Sequence, residues 1–156
     1  MQGSSRIVEL LNELLTFELT AVNQYFLHSK MCDNWGYGHL AKKLREIAFS
    51  EMKDAEEISE RILLLEGVPN LQRLNSIAIG ENVPEQLQLA LNTEGEAVRL
   101  LREIIAASNE EGDDGTRIFL EPGLSEEEKH IDWLETQLEL IRQVGEPHYL
   151  AQQIRE

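Results

Sequence analysis

Four long stretches of this sequence repeat an apolar residue every three to four positions, and short clusters of glycine, proline and asparagine separate them. The first begins near Ser4 or Ser5 and runs to Asn34, through Ile7, Leu11, Leu14, Ala21, Val22 and Tyr25. After "DNWGYG" a second runs from about His39 to Glu66, where Gly67 is expected to stop it. The third has Asn82 as a cap and Pro84 in its first turn, and continues to about Glu111. The fourth ends near Gly145, and a short terminal helix follows from about Pro147. Helices of about 25 to 30 residues are roughly 40 Å long at 1.5 Å per residue. Short joins make the first pair and the last pair antiparallel. The stretch beginning "VPNLQRLNSIAIGEN" has no sustained period, and when extended it is long enough to cross the height of a bundle. The pattern therefore predicts an all-α four-helix bundle with a crossover between its second and third helices. A coiled-coil rod would not need these breakers.

Each of the four stripes carries one glutamate where an apolar residue belongs. Glu18 has Leu11, Leu14, Leu15, Ala21, Val22 and Tyr25 within two turns; Glu51 has Leu44, Ile47, Ala48, Ala55 and Ile58. Glu94 lies among Leu87, Ala90, Leu91, Ala97, Val98 and Leu101, and Glu127 among Leu120, Leu124, Ile131 and Leu134. A buried carboxylate costs several kcal/mol unless it is paired or bound to metal. One such residue could bend to solvent, but one in every helix is a pattern. Asp54 falls one turn from Glu51 on the same face, and His130 one turn from Glu127. Two single glutamates and two Glu-x-x-ligand pairs form the donor arrangement of a dinuclear carboxylate centre inside a bundle. Oxygen and imidazole donors suit iron(II), manganese or zinc. Tyr25, two turns from Glu18, can hydrogen-bond a ligand or a bound oxidant. Solvated or mutually satisfied side chains remain the alternative, and Glu126 and Glu128 read as surface.

Composition narrows the partners. The chain has 156 residues, 42% of them hydrophobic, which fits a single domain over residues 1–156. Acidic residues outnumber basic ones 29 to 14, for a net charge of -15, which disfavours nucleic acid and anionic membranes. Cys32 is the only cysteine, so neither an internal disulfide nor a thiolate metal site can form. No apolar run approaches the roughly 20 residues of a membrane span, and the start lacks a signal-peptide core. A cytoplasmic location is expected.

The acids and their surroundings "ELTAVNQYFLHSKM", "RILLLEGVPNLQ" and "EEKHIDWLETQLELI" resemble bacterioferritin over nearly the whole chain. The resemblance implies a ferritin-like bundle assembled into a hollow 24-subunit shell that oxidises iron(II) and stores it as a ferric mineral. It implies a ferroxidase centre of two iron ions per subunit at Glu18, Glu51, Asp54, Glu94, Glu127 and His130. It also implies haem b between two-fold-related subunits, with Met52 of each as axial ligand. A haem held by two thioethers has no open axial position, so electron transfer is its expected task, with a ferredoxin as electron donor. Read without the resemblance, Met52 is an ordinary interface methionine on a mixed face, about 100° from Glu51. The tail's apolar Tyr149, Leu150 and Ile154 need a surface to cover, and Lys30, Asn34, Glu66 and Asp132 fall at the family's pore positions.

Two features depart from the family. Asp54 stands where the family has histidine, giving five carboxylates and one imidazole instead of four and two. Pro122 and Gly123 fall inside the fourth helix, where proline is expected to kink or interrupt it. Ser125 and Glu128 would then form a capping box that restarts the helix, leaving Glu127 in a first turn. Two functional classes stay open. One is an active ferroxidase and storage subunit; the other is a haem-bearing structural subunit with an impaired centre, co-assembling with an intact subunit type.

Overall fold

The computed structural model describes residues 1–155 and is all-α. Its helices are α1 (Ser5–Asn34), α2 (Gly38–Leu64), α3 (Val83–Glu110), α4 (Asp114–Val144) and α5 (Glu146–Ala151). The starts are capped much as the sequence foretells. Ser4 Oγ accepts from Ile7 N at 3.1 Å, and Asn82 Oδ1 accepts from Glu85 N at 2.9 Å. Asp113 caps α4 by accepting from Thr116 N at 3.0 Å. α1 packs along α2, α3 along α4, and α1 also against α3. None of the described helices is long and apolar enough to cross a membrane.

The end of α2 differs in detail from expectation. The helix stops at Leu64, and Glu66, with φ of 62°, takes the left-handed position usually given to glycine. Gly67 N then donates to Ile62 O at 2.9 Å, closing the last turn. Gly67 is needed for closeness instead: a Cβ there would lie 2.6 Å from Val8 Cγ1.

The expected break at Pro122 is absent, and α4 runs through it without interruption. Proline removes the donor to Ile118 O, but Ile118 and Pro122 are both exposed, so water can reach the freed carbonyl. Leu120, Glu127 and Leu134 are buried on the opposite face and hold the helix in place. Ser125 is no cap, and Glu127 lies in mid-helix.

Residues 65–82 form the crossover and lie against α1 on a polar ladder. Asn12 holds both Val68 O (3.1 Å) and Asn70 N (2.8 Å). Thr16 Oγ1 accepts from Arg73 Nε at 2.9 Å, and Thr20 Oγ1 from Asn75 N at 3.0 Å. Gln24 Nε2 donates to Ala78 O at 3.1 Å, and His28 Nε2 accepts from Gly80 N at 3.0 Å. These five residues of α1 recur every fourth position, and four of them, all but Thr16, satisfy backbone groups of an irregular segment that has no ladder of its own. At the other end, Tyr149 of α5 is buried on its own bundle and donates to Gln137 Oε1 at 2.7 Å, while Ile154 is exposed.

Candidate metal centre

The buried apolar side chains divide into two clusters. One gathers Leu11, Leu14, Leu15, Ala55, Ile58, Leu101 and Leu120; the other gathers Ala21, Leu44, Ile47, Leu87, Ala90 and Leu134. Along every helix the stripe glutamate falls between them. Glu18, Glu51, Glu94 and Glu127 are each at most 3% exposed and form a polar layer across the middle of the bundle.

Within this layer the donors fall into two groups. Glu51, Glu94, Glu127 and His130 offer ligand atoms that all lie within 4.8 Å of one another, and so do Glu18, Glu51, Asp54 and Glu127. Glu51 and Glu127 belong to both. His130 Nδ1 lies 3.2 Å from Glu51 Oε1, 3.6 Å from Glu127 Oε2 and 3.8 Å from Glu94 Oε1. It is near enough to be attracted by all three but aligned for a hydrogen bond with none. Tyr25 is fully buried, and its hydroxyl donates to Glu94 Oε1 at 2.6 Å.

Four buried polar atoms have no partner among the described residues: Glu18 Oε2, Glu51 Oε1, Glu127 Oε2 and His130 Nδ1. All four belong to the two donor groups. Burial pushes the Glu18 carboxyl well above its usual range, and the charges of Glu51, Asp54 and Glu94 push it further. Burial also raises Glu51. Asp54 goes up to about 6, through burial and then the charge of Glu57. Burial alone would lower His130, yet Glu51 and Glu94 push it up to about 10. The layer is thus short of positive charge, and cations placed among the orphaned atoms would supply it.

The structure brings Glu18, Tyr25, Glu51, Asp54, Glu94, Glu127 and His130 together. Met52 lies apart, on the outer side of α2. It is 45% exposed beside the exposed Phe49, over whose ring the Arg45 guanidinium stands at 5.0 Å. Lys30, Asn34, Glu66 and Asp132 are all exposed. The sequence did not disclose a cavity of about 550 Å³ that reaches the layer. Glu18, Asp54 and Glu127 line it, with Ser50, Lys53, Glu57 and Glu126 among the other walls. Glu57, one turn beyond Asp54, was the available signal.

Residues 8–144 match the model of the ferritin-like domain family. Bacterioferritin BfrA of Mycobacterium tuberculosis is 50% identical over 152 residues, 97% of this chain and 96% of that protein. Bacterioferritin of Streptomyces coelicolor is 47% identical over 151 residues, 97% of this chain and 90% of its own length. That of Brucella melitensis is 42% identical over 149 residues, 96% and 92% of the two chains. With this likeness over nearly all of its length, and with the four-helix bundle already described, the chain belongs to the bacterioferritin family of ferritin-like proteins.

Proposed function

We propose that this chain is the ferroxidase and storage subunit of a bacterioferritin, a single ferritin-like domain that assembles into a 24-subunit shell. Its substrate is iron(II), oxidised by oxygen or peroxide and kept inside the shell as ferric mineral. The observation that carries this reading is the pair of four-residue groups sharing Glu51 and Glu127, with four buried polar atoms that make no hydrogen bond among the described residues. Two divalent ions fit that deficit, since they bring four positive charges to a layer of five carboxylates. Glu18 and Asp54 would hold one ion and Glu94 and His130 the other, with Glu51 and Glu127 within reach of both. The Tyr25 hydroxyl fixes one oxygen of Glu94 and leaves the other free to bind.

In this reading Met52, exposed beside Phe49, meets the Met52 of a two-fold-related subunit and ligates haem b. A haem held there would supply electron transfer, taking electrons from a ferredoxin for the release of stored iron.

One observation favours the second class, a haem-bearing structural subunit co-assembled with an intact bacterioferritin subunit. Asp54 is shorter than an imidazole, only partly buried, and without an ion pair or hydrogen bond among the described residues. The two classes separate in one experiment. Oxygen is admitted to metal-free protein loaded anaerobically with iron(II), and ferric absorbance is followed in the unmodified protein and in D54H. The ferroxidase reading expects turnover that exceeds an E18A/E94A control and accelerates in D54H, where the longer ligand returns and one negative charge is lost. Absorbance growth no faster than the control in either protein would leave the structural subunit standing.

A further inference from the structure

The two halves of the centre share Glu51 and Glu127, so they differ only in what each adds. One adds Glu94 and His130, the other Glu18 and Asp54. The first half is the more enclosed: Glu51, Glu94 and Glu127 are buried, His130 is only 12% exposed with its Nδ1 buried, and Tyr25 backs it through the 2.6 Å bond to Glu94. The second half is open. The cavity of about 550 Å³ is lined by Glu18, Asp54 and Glu127 but by neither Glu94 nor His130. Glu18 Oε2 and Glu127 Oε2, both deeply buried and without a hydrogen bond among the described residues, belong to residues that line that cavity. At its mouth stand Lys53, Glu57 and Glu126, the last paired with Lys129 at 2.9 Å.

Donor chemistry separates the halves as clearly as access does. The enclosed half contains an imidazole, which adds affinity for the later first-row dications such as cobalt(II) and zinc(II). The open half offers carboxylate oxygen alone, a set suited to harder ions such as manganese(II), which bind oxygen without needing nitrogen. A site that opens on a cavity also exchanges its ion faster than one enclosed by packed side chains.

Building on the metal-centre reading above, we infer that the two halves bind unequally. The His130 half holds one ion firmly, and the Asp54 half is an exchangeable all-oxygen site, loaded through the cavity, that accepts manganese(II) in place of iron(II). Asp54 is then the residue that sets the selectivity of this half.

The test needs no turnover. Metal-free protein is loaded anaerobically with cobalt(II), challenged with a chelator, and the bound fraction followed by absorbance. Manganese(II) competition is followed by the magnetic resonance signal of the free ion. The expected result is one cobalt(II) per chain that survives the challenge and a second released at least tenfold faster, the second alone being displaced by manganese(II). E18A should remove the fast-exchanging ion and H130A the slow one, and D54H should slow the fast release at least tenfold. Two ions leaving at one rate, or a fast ion lost in H130A but kept in E18A, would overturn the inference while leaving the dinuclear centre intact. Failure to bind any ion above an E18A/E94A control would overturn the centre itself, and the inference with it.

Discussion

The Tyr25 hydroxyl and Glu94 Oε1 meet at 2.6 Å in the middle of the bundle, the one hydrogen bond among the described residues from outside the acid layer to a stripe glutamate. Both side chains are buried, and burial followed by the charge of Glu94 holds the Tyr25 phenol well above its usual range, so it stays a donor. Removing it strands a carboxylate oxygen in a core. Y25F should therefore lower the stability of the metal-free protein by about 1.5 to 3 kcal/mol, the usual cost of losing a hydrogen bond to a charged group. Guanidinium unfolding of both proteins after metal removal measures the difference.

His28 supplies the pH dependence. Its Nε2 accepts from Gly80 N, so the imidazole is neutral, and burial pushes its pKa from 6.5 down to about 4. The unfolded chain binds the proton more readily, so this contribution to stability is complete above pH 6.5 and disappears as pH falls towards 4. The loss is on the order of 3 kcal/mol by linkage. Other groups titrate in the same window, and raised carboxyls such as Glu18 change in the opposite sense. The informative quantity is therefore the difference from H28Q. The unmodified protein should lose more stability between pH 7 and 4 than that variant does.

The acid layer was legible from sequence because an ionised group in an apolar stripe is conspicuous: desolvation makes it rare without a reason. The caps at Ser4 and Asn82 were legible because they depend on neighbours within three residues. The ladder of Asn12, Thr16, Thr20, Gln24 and His28 has just as regular a spacing but went unread. Polar residues on a helix ordinarily mean water, and here their partner is a crossover more than fifty residues away. Pro122 misled for the complementary reason. Its local penalty is real, but whether it breaks a helix depends on which face it occupies and on what the other face buries.

That account makes Pro122 a cost rather than a device. It leaves Ile118 O without its helical donor and carries no ligand atom, so P122A should restore a helical hydrogen bond. The expected gain is about 1 to 3 kcal/mol, below or equal to the full interior penalty of proline because water already solvates the freed carbonyl. Denaturant midpoints of the metal-free proteins report it. A loss of stability would mean that the bend proline imposes is needed for packing.

Met52 and Glu51 are adjacent in sequence but project to opposite surroundings, one 45% exposed and the other 1% exposed. Haem binding and the metal layer should therefore be separable. M52L keeps the side-chain volume but offers no ligand to iron. It should abolish the low-spin haem absorbance and leave the helical circular dichroism and the sedimentation of the assembly unchanged. Retention of that absorbance would assign the haem to another residue.

The central claim is that the carboxylate layer is a two-ion centre, and counting ions tests it most directly. Metal-free protein is titrated anaerobically with iron(II) at neutral pH, alongside a variant with Glu18→Ala and Glu94→Ala, one donor removed from each half. The account predicts saturation at two iron(II) per chain in the unmodified protein beyond whatever the variant binds, with protons released as the acids give up theirs to the metal. Equal binding by the two proteins would contradict it.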